Sequence, residues 1–296
     1  MHRRRWVIVV AVLVLGGLSA PAASATAPVV GSSASSHGES SHGSEHAMGW
    51  YLALGDSLAA GYQPGQGDNK TGGYVGGVLA AVKADKPKAK LVNDACSGET
   101  VVTMVRGGVC AYEEGTQLRQ AVEFLHDHRR TTRLVTIDIG ANDVQRCVSR
   151  SPLGIDAACI QQGLADVQRL LPRVLARLHA AAPGAHIVVA NYYNPFLAVY
   201  LTGAAGQALA QQSMQLQATL NAIIAGSAAT VGADVADVAT AFRSTDTTLV
   251  TVPDLGGPVP TNVATICAWT WMCQLGDIHA NDVGYAVMAG AVVARL

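Results

Sequence analysis

The sequence predicts an α/β protein, a three-layer α/β/α sandwich around one central parallel sheet. Short apolar runs bounded by glycine or turn residues alternate along the chain with longer stretches of helical period. The runs are apolar throughout, as strands are when helices cover both faces of their sheet. Sheets of this kind place their sites beyond the carboxyl ends of the strands, and four short polar motifs fall in the corresponding loops.

In chain order, Trp50 to Leu54 is the first strand, stopped at Gly55. Gly72 to about Lys86 reads as a helix broken at Pro87, and Lys90 to Asn93 as a short strand. Thr116 to Arg129 has helical period, and Arg133 to Ile139 is a strand ending at Gly140. Ile155 to Ala181 is a long helix in which Pro172 predicts a kink; Pro183-Gly184 ends it. Ala185 to Ala190 is a buried strand, Ala204 to Ala229 a helix and Ala233 to Ala236 a weak last strand. Asn281 to Leu296 is an amphipathic closing helix.

The chain has 296 residues, half of them hydrophobic and 14% charged, enough to bury one sizeable core. Residues 1–25 have the three parts of a secretory signal peptide: basic Arg3, Arg4 and Arg5, an apolar run from Trp6 to Leu18, and a small-residue site at Ala23-Ser24-Ala25. That run is short against the roughly 20 residues a membrane span needs, so no stable span is expected after cleavage. Residues 26–48 are rich in Ser, Gly and His and read as a flexible linker; His37, His42 and His46 are read as parts of a solvated tether. The folded domain is expected over 49–296. Loss of the three leader arginines takes the net charge from -1 to -4, which gives no support for nucleic-acid binding. A secreted monomer is expected.

Six cysteines fit export. They allow 15 connectivities, and sequence does not choose among them. Sequential pairing is the expectation, Cys96–Cys110, Cys147–Cys159 and Cys267–Cys273, because each pair spans one short stretch between core elements. No C-x-x-C spacing occurs, so no metal site is expected.

Gly55-Asp56-Ser57-Leu58 puts a serine just past the first strand. Cys96-Ser97-Gly98-Glu99-Thr100 follows the second and offers a glycine N–H for close approach. Gly140-Ala141-Asn142-Asp143 ends the third and offers a side-chain amide. Asp277-Ile278-His279-Ala280-Asn281 precedes the last helix and supplies a base beside a carboxylate. Each alone also fits an ordinary turn or helix cap. Asp56 and Asp143 read as acceptors that shape their loops, and Gly61 to Gly77 as a flexible rim of the site.

Taken together, in the order Ser, Gly, Asn, His, these motifs resemble the SGNH (GDSL-type) hydrolase family from about Trp50 to Leu296. Tyr51 to Gly61 looks like the family's first block, Asn142 its third, and His279 with Asn281 and Gly284-Tyr285 its last. The paired cysteines resemble those of secreted actinobacterial lipases and esterases. The resemblance implies an SGNH, flavodoxin-like fold and a cofactor-free carboxylic ester hydrolase. Ser57 would be nucleophile and His279 base, with the oxyanion held by the N–H groups of Ser57 and Gly98 and the Asn142 amide. One position departs from the pattern: the usual acid lies three residues before the histidine, where this chain has Gly276. Asp277 is one residue nearer, which in an extended segment turns it away. Asp277 is the expected acid, with a backbone carbonyl near Gly276 as the alternative.

No G-x-S-x-G elbow, Walker motif or dinucleotide fingerprint occurs. Lipids, short-chain esters and acetylated carbohydrates are all open as substrates; the resemblance favours lipid or small acyl esters. Val101, Val102, Met104 and Val105 read either as an acyl groove or as core. A secreted binding module without catalysis is the reading from another class.

Overall fold

Five runs pair into one parallel sheet whose three inner strands are apolar on both faces, while the two edge strands carry exposed Lys90 and Asp234. In the computed structural model, which describes residues 49–150 and 153–296, the main elements run as follows. The first part holds β1 (Trp50–Gly55), α1 (Gly73–Asp85), β2 (Lys90–Asn93), α2 (Val101–Arg106), α3 (Gln117–Asp127) and β3 (Thr132–Asp138). The middle holds α4 (Ala141–Gln145), β4 (Val148–Arg150), β5 (Leu153–Ile155), α5 (Ala157–Ala181), β6 (His186–Ala190), a 3-10 helix (Pro195–Thr202) and α6 (Ala204–Ala229). The last part holds β7 (Asp234–Ala236), α7 (Val238–Ala241), β8 (Leu249–Val252), β9 (Gly257–Pro260), α8 (Thr261–Trp269), α9 (Met272–Leu275) and α10 (Asp282–Val293). The expected leader, 1–25, and linker, 26–48, lie outside the described residues.

The sheet order is β2-β1-β3-β6-β7, all parallel. The chain leaves β1 toward one edge and returns to place β3 on its other side. The order therefore reverses at β1/β3, the switch point at which open α/β sheets bind ligands. Helices α1 and α10 pack together in one layer, and α5 packs on α2, α3, α4 and α6 in the other. Their sequences dictate this. In α5, Val167, Leu170, Leu171, Val174, Leu175 and Leu178 form one buried stripe, and Asp156 caps its start by accepting from Cys159 N–H at 3.0 Å. The helix continues through Pro172 as one 25-residue element. The carbonyl that proline leaves without a partner belongs to exposed Gln168.

Two hairpins, β4–β5 and β8–β9, were not expected from the sequence. The strands are three or four residues long, and Leu249 in β8 is exposed. Val101 and Met104 are buried core residues of α2. Three disulfides join Cys96 to Cys110, Cys147 to Cys159 and Cys267 to Cys273. Among the described residues no helix is long and apolar enough to cross a membrane.

Four acids, Asp56, Glu99, Asp138 and Asp143, are buried at the carboxyl edge of the sheet. Asp143 accepts from the Val101 N–H at 2.8 Å, tying α4 to the first turn of α2. Burial pushes its carboxyl up to about 7, against the opposing pull of that hydrogen bond and of Arg146. A carboxyl raised on folding makes the native state bind more protons than the unfolded chain. Its contribution is therefore full below the unfolded value and is lost as pH climbs toward 7. We expect unfolding free energy, from urea titrations at pH 5 and pH 8, to fall with pH in the wild type and to fall less in Asp143→Asn, by up to about 4 kcal/mol. Equal falls in both proteins would refute this account of Asp143.

Candidate active site

The β1–β3 pairing positions the first loop. Gly55 stands opposite Asp138 in the register, and the Asp56 N–H donates to the Asp138 carbonyl at 3.1 Å. Only glycine fits at 55: its φ is +131°, and a Cβ would lie 2.2 Å from that carbonyl oxygen. The chain then turns tightly over 56–61. The Asp56 carboxylate shapes the turn by accepting from the Leu58 N–H at 3.0 Å and the Tyr192 hydroxyl at 2.7 Å. Ser57 sits on this turn, 7% exposed.

Beneath Ser57 lies a buried carboxyl pair. Tyr74 donates its hydroxyl to Asp138 Oδ1 at 2.5 Å, and Asp138 Oδ2 finds no donor as an ionised group. Burial, and then the Asp56 charge, hold Asp138 well above the ordinary carboxylate range. Burial raises Asp56 as well, and a hydrogen bond between the two carboxyls raises Asp138 further while drawing Asp56 down. That hydrogen bond and those from Leu58 and Tyr192 oppose the upward push of burial on Asp56.

His279 reaches the serine from the loop before α10. Its Nε2 lies 2.8 Å from Ser57 Oγ and its Nδ1 2.6 Å from Asp277 Oδ1. The same Asp277 oxygen accepts the His279 backbone N–H at 2.9 Å. The backbone is not extended here: Gly276 is left-handed at φ +64°, and Asp277 folds back as an Asx turn onto the residue two places on. This compact turn brings the nearer acid to the imidazole. The loop is pinned by the Tyr193 hydroxyl to the Ile278 carbonyl at 2.8 Å and the Trp271 N–H to the His279 carbonyl at 3.0 Å. Tyr62 lies against the ring, centroids 4.4 Å apart.

Two further loops converge on Ser57. Asn142 occupies the first turn of α4, and its Nδ2 donates to the Glu99 carbonyl at 2.9 Å. An amide nitrogen has two protons, so one remains for a ligand. Gly98 has φ +85°. Among the described residues, no protein acceptor takes the backbone N–H of Ser57 or Gly98. Gln117 brackets both loops: its Oε1 accepts the Gly55 N–H at 2.7 Å, and its Nε2 donates to the Gly55 carbonyl at 3.0 Å and to Glu99 at 3.2 Å. A small pocket lined by Ser57, Asn142, Gln145, Tyr192, Ile278 and His279 opens at this convergence.

Ser57, His279, Asp277 and Asn142 thus meet in one place, and Gly98 lines the adjoining groove with Asn142. Val101 and Met104 stand apart from it in the core. Asp138, Tyr74, Gln117 and Tyr192 escaped sequence reasoning, because each acts across 62 or more residues. An aspartate inside the apolar run Leu134 to Ile139 was the one available signal.

The family model described as the GDSL-like Lipase/Acylhydrolase family matches residues 53–287. No curated protein matches the chain. Among solved structures, the α/β hydrolase LAE5 from the metagenome of Lake Arreo, Spain, is 20% identical over 84% of this chain and 96% of its own, with a TM-score of 0.51. The lipase Lip_vut3 from a goat rumen metagenome is 16% identical over 83% and 97%, with a TM-score of 0.52. A variant of Axe2, an acetyl-xylooligosaccharide esterase from Geobacillus, is 18% identical over 83% and 94%, with a TM-score of 0.51. At these identities the likeness is one of fold, whereas the family match spans most of the described chain: the protein belongs to the GDSL-like lipase/acylhydrolase family.

Proposed function

We propose that this carboxylic ester hydrolase is a secreted serine esterase acting on lipid or small acyl esters through an acyl-enzyme on Ser57. The observation that carries the reading is the unbroken chain from Ser57 Oγ through the His279 ring to Asp277 Oδ1. An ionised Asp277 only accepts, so the Nδ1 proton points to it and Nε2 is left with a lone pair toward Ser57. His279 takes the Ser57 proton as Oγ attacks the ester carbonyl. It returns that proton to the departing alcohol, and the acyl group stays on Oγ. Water then attacks the acyl-enzyme, His279 again acting as base, and the acid leaves. In both steps the oxyanion lies within reach of the N–H groups of Ser57 and Gly98 and the free Asn142 amide proton. Export is supported by the leader pattern and by three disulfides.

Three substitutions test this reading on a p-nitrophenyl ester series. Ser57→Ala lowers kcat/KM by at least about 10³-fold on every ester hydrolysed, with folding unchanged by circular dichroism. Equal rates in variant and wild type would remove Ser57 from the mechanism. Asp277→Asn lowers kcat by up to about 10⁴-fold, because the amide no longer holds the Nδ1 proton in place. A loss under threefold would return that role to a backbone carbonyl. Asn142→Ala costs about 10²–10³ in kcat with little change in KM, as expected of a donor that tightens on the transition state; a change confined to KM counts against it.

A further inference from the structure

A narrow apolar chamber of about 70 Å³ adjoins the Ser57 pocket. The two share Ala141, Gln145, Tyr192, Tyr193 and Pro195, so a chain attached at Ser57 enters the chamber without crossing solvent. Its walls come from the 3-10 helix, α6, α4 and α5. Phe196, Val199, Leu209, Leu216 and Leu220 are among its apolar lining residues.

Three of the chamber's polar side chains hydrogen-bond within the protein. Asn194 donates to Ser213 Oγ at 2.8 Å and accepts from the Phe196 N–H at 3.0 Å. Ser213 donates to the Ala210 carbonyl at 2.7 Å, and Gln217 to the Tyr192 carbonyl at 2.6 Å. Among the described residues, no carboxylate, amine or guanidinium lines it. A hydrocarbon chain meets mostly aliphatic and aromatic side chains there, whereas a sugar or charged group would give up its water for few hydrogen bonds in return.

A second, wider groove of about 400 Å³ meets the site from the side of Gly98 and Asn142 and carries Arg146. The two openings differ in what catalysis asks of them. The acyl group stays bonded to Oγ while the alcohol leaves and water enters. The smaller apolar chamber suits the part that stays, and the larger groove bearing Arg146 suits the exchange.

We propose that this chamber binds the acyl chain of the substrate and limits it to about eight carbons. The proposal rests on the Ser57 acyl-enzyme reading. The size limit follows from volume: if one water-sized group takes about 10–15 Å³ of such space, the chamber holds about five to seven groups beyond the carbonyl. Each methylene buried raises binding by about fourfold until the space is full.

The test measures kcat/KM for p-nitrophenyl acetate through palmitate on wild type, Leu216→Trp and Val199→Phe, beside a series of alkyl acetates. Wild type is expected to rise from acetate to hexanoate or octanoate and to fall beyond. Either variant is expected to lower the octanoate-to-acetate ratio at least tenfold and to leave the alkyl acetate profile unshifted. Ratios unchanged in both folded variants, a rise continuing to palmitate, or a shift in the alcohol series instead would overturn the assignment. Absence of Ser57-dependent turnover on every ester would defeat the underlying reading alone. The chamber is then judged by titrating octanoate into the Ser57→Ala protein. Saturable binding weakened at least tenfold by adding Leu216→Trp supports it, and no binding or equal binding rejects it.

Discussion

Everything at the site depends on the parallel pairing of β1 with β3. The register sets Gly55 opposite Asp138, so the loops carrying Ser57 and Asn142 leave the sheet at the same level. A slip by one residue would reverse the side-chain faces and put a buried carboxyl where apolar contacts are needed. The register is fixed from both sides. The Asp56 N–H is held by the Asp138 carbonyl, and the absence of a Cβ at Gly55 lets the strands approach that closely. Gln117 then copies the geometry outward, since one side-chain amide holds both backbone groups of Gly55 and reaches Glu99 beside Gly98. The Ser57 and Gly98 loops are thus positioned by one residue from α3.

Much of this was legible in the sequence. Buried parallel strands write themselves as apolar runs, which is why β1, β3 and β6 could be read directly, whereas the edge strands β2 and β7, with exposed Lys90 and Asp234, read only as short or weak strands. Ser57, Gly98, Asn142 and His279 could be read because each lies in a loop at a strand end or helix start, where the topology concentrates chemistry. What was not legible is non-local or conformational. Asp277 reaches His279 only because Gly276 adopts a left-handed turn, and an extended reading of the same residues aims it away. Tyr192 supports Asp56 across 136 residues, a pairing that local periodicity cannot express. The chamber beside Ser57 depends on the 3-10 helix, whose eight residues carry no regular apolar spacing.

The buried acids explain why the loops need outside support. Asp56 with Asp138, Glu99 and Asp143 are carboxyls held where desolvation raises each of them. Each anchors a loop turn through a backbone or side-chain donor, which gives orientation at a cost in stability. Glu99 Oε1 and Asp143 Oδ1 lack hydrogen-bond partners altogether.

The disulfides sit where that cost falls. None crosses the sheet, whose ladders hold it already. Cys96 lies two residues before Gly98, and its partner Cys110 closes the loop behind it. Cys147 and Cys159 join the end of α4 to the start of α5, just past Asn142. Cys267 and Cys273 tie α8 to α9, immediately before the turn that presents Asp277 and His279. Each bridge closes a short loop and restricts the unfolded chain by about 2–3 kcal/mol, comparable with the penalty of one buried carboxyl left without a full set of partners. Covalent restraint on the loops therefore offsets the desolvated acids that shape them, and the sheet supplies only the level at which they meet.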